Sequence, residues 1–137
     1  MIDNVDDGDT ATTGSNNSMI WKNKGAVGIV SAGGVGDTDE IIKQKRPVYM
    51  DYLKKGRRIR PGRSELESFN EPVVIGGVYI RTGDVIVADG DGVIVVLREK
   101  ALEVAGTARE EKNIDMEALK KLYQELGIPL DFTVEQQ

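Results

Sequence analysis

The chain has 137 residues, 39% of them hydrophobic and 30% charged, with a formal net charge of −5, which is the profile of one soluble globular domain. It contains no cysteine and no histidine. Their absence excludes disulfides, thiolate nucleophiles, Ser-His-Asp triads and the common zinc sites, and leaves oxygen ligands suited to magnesium, manganese or calcium.

The opening stretch MIDNVDDGDTATTG has neither an apolar core nor the flanks of a secretory signal, and no apolar run is long enough to span a bilayer. A cytoplasmic protein without a membrane partner is the expectation. The first dozen residues are acidic and turn-rich, either a frayed terminus or the remnant of a strand. From Gly14 to Lys24, GSNNSMIWKNK predicts a Ser/Asn-capped helix with Met19, Ile20 and Trp21 facing inward. AVGIVS at 26–31 has the small, β-branched character of a buried parallel strand. The Gly-rich turn at 32–36 then feeds a helix to about residue 45, with Asp37, Thr38 and Asp39 as caps and first-turn charge.

PVYM at 47–50 predicts a short strand, and residues 51–70 a long irregular excursion broken by Gly56, Pro61 and Gly62. A β-meander follows at 72–75, 77–80, 84–89 and 93–97, with turns at Gly76-Gly77, Arg81-Thr82-Gly83 and Gly90-Asp91-Gly92. Two helical segments close the chain: 99–112, weakened by Gly106, and about Asp115 to Leu126, with Met116, Leu119, Leu122 and Leu126 on one face. The whole reads as α/β with a β-rich centre.

Charge is uneven. Residues 41–63 hold nine basic and one acidic residue between two acidic segments. Such an island can bind anions or face an acidic neighbour, and its plainest reading is a solvated loop; nucleic acid is not the expected partner.

Three groups of residues could carry chemistry. The Gly-rich junction at 32–37 and the Gly-led helix start Gly14-Ser15-Asn16-Asn17 both offer unpaired amides to a carboxylate or phosphate. Ordinary turns and N-caps explain each alone, but the two flank one strand and could face one cleft. Asp37 and Glu40, three apart at a helix start, could hold one hard cation or simply complement the helix dipole. Asp84, Asp89 and Asp91 lack calcium-loop spacing and read as hairpin turns.

GAVGIVSAGGVGDTDEI, PVYM and EPVVIGGVYIRTGDVIVADGDGVIVVLREKALEVA together resemble the RraA-like family, over about residues 10–112. That family includes class II 4-hydroxy-4-methyl-2-oxoglutarate aldolases and regulators of ribonuclease E activity. Its pattern is a glycine, a spacer, then Arg-Asp, two residues and an acidic residue. Gly14, Asp37 and Glu40 match it, and Gly36 occupies the position of the arginine.

The resemblance implies a swivelling β/β/α domain with a central β-sheet layer and flanking helices. Residues 1–137 would form one such domain, with a helical tail at 113–137. It further implies that Gly14, Ser15, Asn16, Asn17 and the position of Gly36 bind substrate. Asp37 would be the catalytic residue and, with Glu40, would hold Mg2+ or another divalent cation such as Mn2+. Family members carry helices and a strand before the glycine loop, so a short copy or a fragment is expected. They also form trimers or larger rings, so a homotrimer or hexamer is expected.

Two functions follow from the likeness. One is a carbon–carbon lyase, an aldolase or oxaloacetate decarboxylase, acting on a small pyruvyl-containing oxo acid. Without histidine or cysteine, water or a carboxylate must then carry the proton. The other is a non-catalytic oligomeric regulator that docks on a partner protein through the basic residues 54–63. Both use one fold, so fold alone does not separate them.

Overall fold

Two of the strands that shape the site, Ala-Thr-Thr and Gly-Val, are only three and two residues long. The computed structural model describes residues 1–4, 10–51, 53, 56 and 65–135; the basic segment 54–63, apart from Gly56, lies outside the described residues. Strand β1 (Ala11–Thr13) pairs in parallel with β3 (Gly34–Val35), Ala11 opposite Gly34 and Thr13 opposite Val35, with an irregularity between. Neither strand is visible to a pattern search, because two or three residues cannot display a period of two.

Between them lie helix α1 (Ser15–Asn23) and strand β2 (Ile29–Ser31). Strand β2 pairs in parallel with β4 (Val48–Met50), Ile29 opposite Val48 and Ser31 opposite Met50. On its other side Ile2 forms a parallel bridge to Ser31. Helix α2 (Thr38–Lys43) connects β3 to β4. The parallel strand expected at 26–31 is therefore present, shortened to its β-branched end.

The meander expected from the β-branched runs consists of β5 (Val73–Ile75), β6 (Val78–Ile80), β7 (Val85–Ala88) and β8 (Val93–Val96). Strands β5 and β6 are antiparallel, and β7 pairs with β8. Among the described residues the eight strands are hydrogen-bonded as four two-stranded pairs. The aspartates read as turn residues are turn residues: Asp89 Oδ1 accepts the N–H groups of Asp91 and Gly92, at 2.9 and 3.3 Å. Asp84 Oδ2 accepts that of Arg81, at 2.9 Å.

The chain divides into two compact units, Met1–Val95 and Val96–Gln137. In the first, Ile29, Val35, Ile41 and Ile80 are buried together with Thr10, Thr13, Ser18, Ser31 and Arg46. The second consists of a 3-10 turn (Arg98–Lys100), helix α3 (Ala101–Leu126) and a C-terminal turn segment. The two helices expected there are one: residues 112–115 carry no breaker, and Gly106 costs about 1 kcal/mol without stopping a helix of this length. Gly127, in the left-handed region at φ 67°, ends it. Met116 and Val134 are buried, whereas Leu122 and Leu126 of the expected apolar face are exposed.

Candidate active site

Helix α1 begins at Gly14, which has no side chain with which to cap it. The missing cap comes from 22 residues beyond Ser15. Asp37 Oδ2 accepts a hydrogen bond from the Ser15 N–H at 2.9 Å and another from the Ser15 hydroxyl at 3.0 Å. This removes one of the orphan donors that every helix start exposes and places a negative charge at the positive end of the α1 dipole. The Ser/Asn cap expected for α1 is thus replaced by a carboxylate from another element.

Asp37 is itself the residue preceding α2, yet it makes no side-chain cap to that helix. Its backbone is left-handed, at φ 53° and ψ 46°, a conformation costing an ordinary residue roughly 1 kcal/mol and borne best by Asp, Asn and Gly. That turn aims the carboxylate away from α2 and toward α1. Gly14 completes the fit, since a Cβ there would lie 2.4 Å from Asp37 Oδ2 and 3.2 Å from its Cγ. Gly14 has φ −147°, which any residue adopts. The requirement for glycine is the proximity of the carboxylate, not the backbone.

The same holds for the Gly-rich turn. Neither Gly33, Gly34 nor Gly36 is among the residues with positive φ, so the tight-turn explanation does not apply. A Cβ on Gly33 would meet the Thr12 methyl at 2.4 Å, and one on Gly34 would overlap the Gly56 carbonyl and lie 3.0 Å from the carbonyl oxygen of Thr10. These glycines let the β3 backbone lie against the segment that leads into Gly14. The Gly36 N–H donates to the Thr13 carbonyl at 2.9 Å, tying the residue before Asp37 to the residue before Gly14.

A hydroxyl network that the sequence did not reveal braces this junction. The Thr12 hydroxyl donates to the Gly34 carbonyl at 2.9 Å and lies 3.1 Å from Ser31 Oγ. Ser31 Oγ in turn accepts the Gly33 N–H at 3.2 Å. The hydroxyls of Thr13 and Ser18, on either side of Gly14, are buried without a partner among the described residues. The run Thr10-Ala11-Thr12-Thr13 before a helix-leading glycine was the available signal. The expectation for Met19 and Ile20 is corrected: both are exposed, and Ser18 is the buried residue of α1.

The junction leaves two sets of groups available. The N–H groups of Asn16 and Asn17, next in the first turn of α1, have no acceptor among the described residues. Asp37 Oδ1 accepts no hydrogen bond there either, and Asp37 and Glu40 are both exposed. Among the described residues no three acidic side chains converge into a metal cage. An ion that keeps most of its water and takes one or two carboxylates, the habit of magnesium, needs no such cage. Gly36 places no guanidinium beside it.

With this geometry in hand, the comparisons with known proteins are specific. The RraA-like family pattern, described as Aldolase/RraA, matches residues 1–95. The chain belongs to the RraA-like family, which contains both aldolases and inhibitors of ribonuclease E. An uncharacterized protein of Methanocaldococcus jannaschii is 32% identical over 106 residues, 76% of this chain and 49% of that protein.

Among solved structures, Streptomyces coelicolor RraAS2, described as an unusual member of the RNase ES inhibitor RraA family, superposes with a TM-score of 0.68 at 29% identity, over 80% of this chain and 55% of its own. A protein described as a novel cellulase from gut-associated microbes gives a TM-score of 0.69 at 31% identity, over 80% and 49% of the two chains. An uncharacterized Pseudomonas syringae protein gives a TM-score of 0.64 at 26% identity, over 85% and 57%. The chain spans about half the length of these relatives. Among the described residues no helix is long and apolar enough to cross a membrane.

Proposed function

We propose that the Gly14–Asp37 junction is the site of a divalent-metal-dependent lyase that cleaves a carbon–carbon bond of a pyruvyl-containing acid, by retro-aldol cleavage or by decarboxylation. The observation that carries the reading is the contact of one Asp37 oxygen with Ser15 while the other, and the amides of Asn16 and Asn17, remain open. In this reading the two amides hold the substrate carboxylate at the positive end of α1, and Gly14 keeps the approach free of a side chain. Asp37 Oδ1 and Glu40 would hold the cation, which suits magnesium or manganese. Polarisation of the keto group is the chemistry that such an ion supplies when bound. With no histidine or cysteine in the chain, a carboxylate or water carries the proton.

A second reading, a non-catalytic regulator that binds a partner protein, is favoured by one observation. Gly36 stands where the family pattern has arginine, and a charge-assisted arginine–carboxylate contact is commonly worth about 2–3 kcal/mol. The two readings separate in a lactate-dehydrogenase-coupled assay for pyruvate release from oxaloacetate. Magnesium-dependent release above the uncatalysed rate, abolished by Asp37→Asn, is expected of the lyase. No release at saturating magnesium, from the folded oligomer that the family likeness implies, is expected of the regulator.

A further inference from the structure

A buried cation outside the Gly14–Asp37 junction has no counter-charge among the described residues. Arg46 follows α2 and is only 8% exposed. Its Nη2 donates to the Ala26 carbonyl at 3.0 Å, and its Nε is buried with no partner among the described residues. No carboxylate among the described residues pairs with it. A guanidinium stays protonated in any protein interior, and a buried charge facing only one neutral carbonyl is incompletely compensated. The basic segment had suggested a solvated residue here; the turn through Lys45, at φ 52°, instead folds Arg46 under the loop that leads into β2.

Arg46 lines a cleft of about 740 Å3 formed within the first unit by the β2–β4 pair, α2 and the meander. Val30, Val35, Ile41, Val48, Ile75 and Ile80 are among its apolar lining. That size falls in the range of small-molecule sites, which combine apolar walls with a few convergent polar groups. Gly14, Ser15, Asp37 and Glu40 are not part of it.

We infer that this cleft binds a monocarboxylate carried on an apolar body, with the Arg46 guanidinium as the receptor for the carboxylate. The walls and the cation define the ligand jointly. A small anion would leave the walls in water, and a neutral amphiphile would leave the guanidinium unpaired. The cleft's own carboxylates argue for a single negative charge. Asp51 and Asp89 also line it, both exposed, and Asp89 Oδ1 is already taken by the turn amides of Asp91 and Gly92. The exposed Asp89 carboxylate disfavours a phosphate or a dicarboxylate, so this ligand differs in charge from the oxo diacids of the proposed reaction.

The test is calorimetric titration of the full chain with sodium octanoate, octan-1-ol, octylammonium and acetate. Octanoate is expected to bind one-to-one and at least tenfold more tightly than each of the other three. Arg46→Met is expected to weaken octanoate at least tenfold, and Arg46→Lys to restore part of the loss. Val78→Trp, at a half-exposed wall position, keeps the arginine and fills the cleft, and is expected to cause a similar loss. Should Arg46→Met not fold, Val78→Trp and the comparison of the four ligands decide. Equal binding of the three octyl compounds, undiminished binding to the folded variants, or no binding of octanoate would each overturn the inference.

Discussion

Asp37 Oδ2 takes both the backbone N–H and the hydroxyl of Ser15, at 2.9 and 3.0 Å, so a carboxylate from the start of α2 caps the start of α1. One Asp37 oxygen holds the helix, the other accepts no hydrogen bond among the described residues, and the proposed role of the second can be separated from the first by substitution.

Asp37→Asn keeps an acceptor for Ser15 and removes the charge. It is expected to cost less than about 0.5 kcal/mol of stability while abolishing magnesium-dependent activity. Asp37→Ala removes the cap and places an alanine at φ 53°, with an expected loss of about 1–2 kcal/mol. Urea unfolding followed by circular dichroism, beside the pyruvate assay, measures both effects.

Gly14→Ala introduces a Cβ 2.4 Å from Asp37 Oδ2. The backbone at Gly14 accepts any residue, so the whole effect is displacement of the carboxylate, with an expected cost of about 1–3 kcal/mol. A double-mutant cycle isolates it: in the Asp37→Ala background the same change is expected to cost less than about 0.5 kcal/mol.

Gly106 lies inside α3, and a Cβ there would touch nothing within 4 Å. Gly106→Ala is expected to stabilise α3 by about 1 kcal/mol through helix propensity alone, read as a higher Tm by circular dichroism. It leaves the candidate site unaltered.

The C-terminal turn is expected to respond to acid. The hydroxyl and then the N–H of Thr133 donate to Asp131 Oδ1, at 2.5 and 2.9 Å, and hold its carboxyl below the ordinary value of 3.8. A carboxyl depressed in the folded state stabilises the turn above its unfolded pKa, and the contribution is lost as pH falls through the folded one. Carboxyl NMR titration is expected to show Asp131 protonating at lower pH than a free aspartate, and Thr133→Val is expected to move it back up.

Elements with a local cause were legible in the sequence. β2 and the meander carry β-branched runs, and Asp89 and Gly92 have the chemistry of the turn they form. What was not legible depends on residues meeting across the chain. β1 and β3 are too short to show a period and exist because each is the other's partner. Asp37 appeared to be a cap for its own helix, and only its left-handed backbone turns it toward α1. Arg46 was one charge in a basic run, and its burial follows from the bend at Lys45. The match of Gly14 and Asp37 to the family pattern pointed to two segments that the structure brings into contact. That pattern could not show which Asp37 oxygen is engaged and which is open.

The central claim is tested most directly by restoring the side chain that the family pattern has at Gly36. Gly36 is buried, its N–H is held by the Thr13 carbonyl, and its φ lies outside the positive region. An arginine there meets no backbone strain of the left-handed kind, and folding of the variant is checked by circular dichroism. Oxaloacetate decarboxylation is measured at saturating magnesium for the native chain, Gly36→Arg, and Gly36→Arg with Asp37→Ala. A recovered contact of about 2–3 kcal/mol corresponds to a gain of roughly 30- to 150-fold in kcat/KM for Gly36→Arg, and the double variant is expected to fall to the uncatalysed rate. Equal inactivity of the native chain and of folded Gly36→Arg would contradict the lyase reading and leave the regulator in its place.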